Sequence, residues 1–224
     1  RRRRHLVVTR NAADRLAAAI AGAGMAPEIA DARRFPAPID PQSVHQGAAL
    51  EVEALAWGSV SEVCAPGVRH EERAPVVLLL DRVTDPHNVG AILRSAEVFG
   101  ARAVIAPRRH AAPETGALAK AASGALERQP YLRVPNLASA MQALREMGYA
   151  LVGLDGAAEG EIGAVLGEFA GRPLGLALGA EGPGMRDLTG RLCDRTARIG
   201  AAGDFGSLNV SNAAAVALYA ATRM

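Results

Sequence analysis

The chain has 224 residues, half of them hydrophobic, and a net charge of only +2; no uninterrupted apolar run reaches the roughly 18 residues that would span a bilayer. That composition excludes a disordered chain and a helical membrane protein, and the length suits one large domain or one domain plus a small one. Its two cysteines, Cys64 and Cys193, fit neither a metal-site spacing nor a disulfide framework. A reducing cytoplasm is therefore the expected compartment, with no metal and no membrane partner.

Charge is unevenly spread. Residues 1–40 carry eight arginines against four acids, and residues 41–74 carry two against five. The basic start, Arg1 to Arg4, is followed by no long apolar stretch, so a secretory signal is not expected there. It suits either a solvated terminus or a phosphate backbone. One lysine, Lys120, stands against 24 arginines, a skew typical of genomic base composition, so arginine abundance alone does not mean RNA binding.

In chain order, residues 1–55 read as a small α/β unit. Asn11 to Ala23 is alanine-rich with Leu16 and Ile20 four apart, which predicts a helix. Ala48 to Leu55 alternates apolar residues with Glu51 and Glu53, which predicts a strand with one wet face. Residues 56–74 read as a connector, with Gly58, Pro66, Gly67 and a charged run from Arg69 to Arg73. From Pro75 to the end, residues 75–224, strands and helices alternate. Strands are predicted at Val76–Leu80, Ala103–Ala106, Tyr131–Val134, Ala150–Leu154, Leu174–Leu178 and Thr196–Ile199. Helices are predicted near Asn88–Phe99, Glu114–Ala122, Leu137–Met147, Ile162–Phe169 and Leu208–Thr222. Continuous apolar strands alternating with helices predict an α/β fold, a mostly parallel sheet covered on both faces. Ligands of such sheets bind beyond the carboxyl ends of the strands, which directs attention to the loops after Leu80, Ala106, Leu154, Leu178 and Ile199.

Three segments on those loops stand out. The first runs from Asp81 through Asp85-Pro86 and Asn88 to Arg94. Asp85-Pro86 is a helix-start signal. Val89, Ile92, Leu93, Ala96 and Phe99 form one apolar stripe, and Arg94 points off it. Alone, Arg94 would be an ordinary exposed helix arginine and Asn88 a capping residue. The second segment, Leu178-Gly-Ala-Glu-Gly-Pro-Gly-Met185, has three glycines after a buried strand. Glycine lets backbone approach a ligand closely, yet a tight structural turn explains it equally. It is neither a P-loop nor a dinucleotide fingerprint, which argues against a nucleotide-dependent oxidoreductase. The third, Ile199 to Asn212, is a glycine-rich loop in which Ser207, Asn209, Ser211 and Asn212 cluster where a helix exposes unpaired N–H groups.

Taken together and in this order, Asn88-Val-Gly-Ala-Ile-Leu-Arg94-Ser-Ala, Gly179-Ala-Glu181-Gly and Ser207-Leu-Asn209-Val-Ser211 resemble the three motifs of the SpoU/TrmH methyltransferases of the SPOUT superfamily. Ser123-Gly-Ala-Leu-Glu, Pro135-Asn-Leu and His45-Gln-Gly47 are also similar, and the likeness covers essentially the whole chain. It is closest to the RlmB-like branch, which methylates a guanosine ribose in 23S ribosomal RNA. The chain departs at Gly200-Ala201, where the family often has Pro-Met, and at Asn212, where a small apolar residue is common. The N-terminal unit begins late relative to the family, as if residues before it were missing.

The resemblance implies a C-terminal sheet tied in a trefoil knot, a feature physical reasoning alone would not propose, and a small N-terminal RNA-binding domain. It implies S-adenosyl-L-methionine as cofactor, held largely by backbone at Leu178, Gly179, Ile199, Leu208 and Asn209. Glu181, Ser207 and Asn209 would shape the site, with Asn88 and Arg94 facing the ribose. It implies a homodimer, with the terminal helix near the interface and Arg94 beside the partner chain. Arg94 is often cast as a general base in this family; a cation stabilising the developing alkoxide, or holding a neighbouring phosphate, is the alternative, because a free guanidinium keeps its proton above about pH 12. The expected substrate is 23S ribosomal RNA. Transfer RNA, or a non-catalytic RNA-binding role, are the alternatives, and retention of Arg94 and Asn209 argues against the last.

Overall fold

The computed structural model describes residues 3–36, 39, 44–67, 73–203 and 208–223. The chain divides into two compact units, Arg1–Ala56 and Trp57–Met224.

The first unit has a three-stranded sheet. Strand β1 (Arg3–Thr9) is central, with β2 (Glu28–Ala30) parallel on one side and β3 (Ala48–Val52) antiparallel on the other. Leu6 and Val8 of β1 bury against Ala12, with Ile20, Met25 and Ala48 packed around them. The helix expected at Asn11–Ala23 is two helices, α1 (Arg10–Arg15) and α2 (Ala17–Ala23). Thr9 caps the first, its hydroxyl accepting from the Ala12 N–H. The axis breaks at Leu16, although Leu16 and Ile20 still donate to the carbonyls four residues back. Gly24, at φ +63°, ends α2 in the left-handed conformation that glycine adopts freely.

In the second unit, among the described residues, six strands form one parallel sheet. They are β4 (Val76–Asp81), β5 (Ala103–Pro107), β6 (Tyr131–Val134), β7 (Ala150–Leu154), β8 (Leu174–Gly179) and β9 (Arg195–Ala197), in the spatial order β6-β5-β4-β8-β7-β9. The helices are α3 (Val60–Cys64), α4 (Pro86–Val98), α5 (Gly116–Ala122), α6 (Leu137–Glu146), α7 (Ile162–Gly167), α8 (Asp187–Leu192) and α9 (Val210–Ala221). The period-two geometry of a strand sends Leu78, Leu80, Val104 and Leu176 to one face, under α4, α5 and α9. It sends Val77, Leu79, Ile105 and Leu151 to the other, under α3 and α6. Both faces are therefore covered, as the apolar strands predict. No helix among the described residues is long and apolar enough to cross a membrane.

The stretch read as a connector contains helix α3. Ser59 and Glu62 form a reciprocal capping box: the Ser59 Oγ accepts from the Glu62 N–H, and the Glu62 carboxylate accepts from the Ser59 N–H at 2.7 Å. These bonds hold the Glu62 carboxyl below its ordinary pKa. At the other end, the Tyr149 hydroxyl donates to the Cys64 carbonyl at 2.8 Å, and the buried Arg102 donates to those of Val63 and Ala65. Thus α3 is part of the second unit's own packing.

Candidate active site

Strand order reverses its direction at β4. The chain steps outward from β4 to β5 and β6, then returns so that β8 lies beside β4 on its other side. Such a switch point opens a crevice beyond the carboxyl ends of the strands. Here a cleft of about 670 Å³ lies beyond β8, β7 and β9, a volume in the range of cofactor sites. Its walls include Leu154 and Asp155 at the end of β7, Leu178 to Met185 from the end of β8 onward, and Ala197 and Ile199 at the end of β9. Leu208 and Val210, at the start of α9, also line it.

The loop after β8 is a closed turn. The Gly184 N–H donates to the Ala180 carbonyl at 3.0 Å, and Gly182 and Gly184 have φ of +83° and +69°. A Cβ on Gly179 would lie 2.0 Å from the Gly184 carbonyl carbon and 2.1 Å from the Met185 nitrogen. The close approach expected at Gly179 is therefore first of all an approach of the chain to itself.

A buried carboxylate anchors the far end of that loop. Asp81, the last residue of β4, is 0% exposed. Its Oδ2 accepts from the Arg186 N–H at 2.9 Å and from the Thr189 hydroxyl at 2.7 Å. Its Oδ1 faces Arg186 Nε and Nη2, both at 2.8 Å. Asp81 thus ties β4 to the start of α8. Sequence reasoning placed Asp81 at the end of the strand without giving it this role. The available signal was a charged residue closing an unbroken apolar run, since an acid enclosed with such a strand is rarely without partners.

The three segments singled out in the sequence meet at the cleft's edge, between the ends of β4 and β8. Asn209 Nδ2 donates to Asn88 Oδ1 at 2.9 Å and to Glu181 Oε1 at 2.5 Å, and Asn88 Nδ2 reaches the same Glu181 oxygen at 3.3 Å. The Val210 N–H also points at it, at 3.3 Å. Asn209 Oδ1 meanwhile caps α9 through the N–H and hydroxyl of Ser211. Asn209 is therefore both a cap and a bridge. Glu181 Oε1 collects every one of these donors, and among the described residues none reaches Oε2.

Leu178, Gly179, Glu181, Ile199 and Leu208 thus line the cleft, and Asn88 and Asn209 stand at its edge. Arg94 is elsewhere. It is exposed on α4 and shares with Ala91, Ser95, Val98 and Phe99 a separate depression of about 270 Å³. Ser207 lies outside the described residues. Gly200 has a local explanation: a Cβ there would lie 2.7 Å from the Glu161 carboxylate, which pairs with Arg198. Among the described residues no three His, Cys, Asp or Glu side chains gather as they would around a metal ion.

Residues 75–219 match the model of the SpoU rRNA Methylase family. The chain is 44% identical over 194 residues, 87% of its own length and 76% of the relative's, to a 23S rRNA (guanosine-2′-O-)-methyltransferase RlmB from Burkholderia sp. It is 42% identical to the protein of the same name from Ralstonia nicotianae, across 80% of this chain and 70% of that one. Among solved structures, the SpoU methyltransferase AviRb from Streptomyces viridochromogenes superposes with a TM-score of 0.78 at 26% identity, covering 99% of this chain and 81% of that one. A second AviRb structure, in complex with AdoMet, superposes with a TM-score of 0.75 at 29% identity, covering 99% and 82%. With the family model spanning most of a parallel sheet whose three motif loops converge on one cleft, the chain belongs to the SpoU rRNA methylase family.

Proposed function

We propose that this protein transfers the methyl group of S-adenosyl-L-methionine to the ribose 2′-oxygen of a guanosine in 23S ribosomal RNA. The observation that carries this reading is the meeting of Asn88, Glu181 and Asn209, one from each family motif, at the mouth of the cleft. The RlmB relatives carry the substrate in their names.

The cleft suits this cofactor. Leu178, Ile199, Leu208 and Val210 offer apolar surface for a heterocycle, and the turn from Gly179 to Gly184 offers backbone polar groups. When bound, the cofactor supplies an electrophilic methyl group on a sulfonium. The chain's own residues must then orient the hydroxyl and receive its proton. Glu181 Oε2, free of the bonds that hold Oε1, is suited to accept from a donor at the cleft mouth. Asn88 and Asn209 keep the carboxylate in place.

Arg94 stands apart from the cleft within one chain, so its proposed role at the ribose needs a second copy. A homodimer through α4 and α9 brings it there. Its support is an exposed apolar surface on those packed helices: Val98 is 77% and Tyr219 56% exposed, and Phe99 meets Tyr219 edge-on at 6.2 Å. The knotted path of the C-terminal chain belongs to the same reading, supported by the strand order and by α9 packing back against α4. So does an RNA-binding role for the N-terminal unit.

The test has two arms. Calorimetric titration with S-adenosylmethionine, with NAD as control, should show binding of the first alone. Incubation with unmethylated 23S rRNA and labelled cofactor should then place one 2′-O-methyl group on a guanosine. Transfer to tRNA instead, or cofactor binding without transfer to any RNA, would overturn the assignment.

A further inference from the structure

The sheet sorts its exit loops into two halves. The cofactor cleft lies beyond β8, β7 and β9. Beyond β4, β5 and β6 stand Arg82, directly after β4; Arg108, Arg109 and His110, directly after β5; and Arg133, near the end of β6. The Asn88–Glu181–Asn209 cluster sits at the seam between the halves, where β4 meets β8. We propose that the β4–β5–β6 half is a phosphate track, on which Arg82, Arg108, Arg109 and Arg133 hold the backbone of the RNA strand that delivers its ribose to the seam. This rests on the RNA-methylation reading above and names the surface of the catalytic unit that would meet the RNA.

Five arginines elsewhere in the unit are neutralised by acids; Arg94, Arg172 and Arg191 are not among them, so what marks this patch is that four arginines without an acid pair share three adjoining strand ends. Arg128, Arg145, Arg186, Arg195 and Arg198 each pair with a carboxylate, respectively Glu97, Asp194, Asp81, Glu168 and Glu161. Among the described residues, Arg82, Arg108, Arg109 and Arg133 form no such pair. Arg108 Nε instead donates to the Arg133 carbonyl at 3.1 Å, and Arg133 donates back to the Arg108 carbonyl. Two like charges are thus clamped side by side by backbone oxygens, and Arg133 keeps a buried Nε without a partner. Of the nearby acids, Asp85 is engaged in capping α4, and Glu114 faces the same Tyr131 phenol as Arg133. The balance remains positive, and a polyanion would offset it.

The patch is also held in shape. The Arg108 N–H donates to the Val134 carbonyl at 2.7 Å, and the Ala112 N–H to that of Val83 at 3.3 Å. The Tyr131 hydroxyl donates to the Ala112 carbonyl at 3.0 Å. The loops after β4 and β5 and the end of β6 are therefore joined. Arg82 and His110 hold φ of +63° and +59°, a region disfavoured for side chains with a Cβ, so each is set in its direction by the surrounding structure. Neighbouring strands lie about 4.8 Å apart, so the track is roughly 10 Å wide from β4 to β6 and leads to the seam.

The test measures binding of an in-vitro-transcribed 23S rRNA fragment across a KCl series, for wild type, Arg109→Ala, the double variant Arg108→Ala with Arg109→Ala, and Arg133→Ala. Among the described residues Arg109 makes no hydrogen bond, so its truncation should leave the fold alone. The control is the double variant Arg145→Ala with Arg195→Ala, which removes the same charge from acid-paired positions. The double track variant should bind about tenfold more weakly. Its slope of log affinity against log salt should flatten by roughly 1.4, two phosphate contacts at about 0.7 each for a single strand. S-adenosylmethionine affinity should not move, and the control should keep the wild-type slope. Track variants with wild-type affinity and slope, while wild type still methylates the RNA, would overturn the track and leave the methyltransferase reading standing. Equal loss in the control would overturn it too, as a mere effect of net charge. Wild type that binds cofactor but neither binds nor methylates the RNA would overturn both.

Discussion

The anchor at Asp81 makes the sharpest test of how the loop after β8, the proposed cofactor loop, is held. Asp81→Ala removes four contacts at once: two from the Arg186 guanidinium, one from its backbone N–H and one from the Thr189 hydroxyl. Breaking a fully buried ion pair costs about 3–5 kcal/mol. Here the Arg186 side chain is 46% exposed and recovers water, so its share is smaller. Thr189, 3% exposed, does not recover water. Its hydroxyl and the Arg186 N–H, left unmet, cost about 1–3 kcal/mol each, so about 3 kcal/mol is expected in all. A domain of this size survives that loss. Because Asp81 ties down the end of the loop, part of the loss should appear as a smaller population of the binding-competent loop, and apparent affinity scales with that population. S-adenosylmethionine should therefore bind 10- to 100-fold more weakly by calorimetry, an upper bound set by about 3 kcal/mol. Asp81→Asn should fall between this variant and wild type, and Thr189→Val should cost about 1 kcal/mol. An Asp81→Ala protein with a lowered urea midpoint but wild-type cofactor affinity would refute the reasoning, since the pair would then stabilise the fold without positioning the loop.

Three further outcomes are expected. Gly179→Val, and even Gly179→Ala, should abolish cofactor binding, because the added carbon overlaps the Gly184–Met185 backbone; unchanged affinity in a folded variant would refute the turn's geometry. Arg94→Ala should leave cofactor binding and melting temperature nearly unchanged, since Arg94 is exposed and opens no cavity, yet lower single-turnover methyl transfer by 10²–10³, roughly 3–4 kcal/mol, with only partial rescue by lysine; near-wild-type turnover would sink its catalytic role. Burial raises the Cys64 thiol to about 11 and, with help from Asp194, the Cys193 thiol to about 12. At pH 8, below both, the thiolate fraction is on the order of 10⁻³ or less, so neither cysteine should react with Ellman's reagent within minutes until urea is added.

The strands of the second unit were legible because parallel strands covered on both faces are written as unbroken apolar runs. Tyr131–Val134 and Ala150–Leu154 were bounded to the residue, and the others to within one or two. The capping box of α3 was equally written in Ser59-x-x-Glu62, but Gly58 and Pro66 on either side made the stretch read as a connector. The partners of the end of α3, Arg102 and Tyr149, lie about 40 and 85 residues away in sequence, beyond any local pattern. Strand β1 was hidden by the arginines that open it, since only Leu6, Val7 and Val8 turn inward.

The site divides the same way. The order of the side chains along the chain is a local property, and Asn88, Glu181 and Asn209 could be singled out through the family motifs that this order resembles. Which atoms meet is set by strand order. Placing β8 beside β4 brings Glu181 to Asn88 across 93 residues and Arg186 to Asp81 across 105. Strand order also gathers Arg82, Arg108, Arg109 and Arg133, from three separate stretches of the sequence, at one edge of the sheet. Hydrophobic periodicity reports only whether a residue is inside or outside. Partnership between residues a hundred positions apart depends on how the sheet is wound, and no local pattern encodes that.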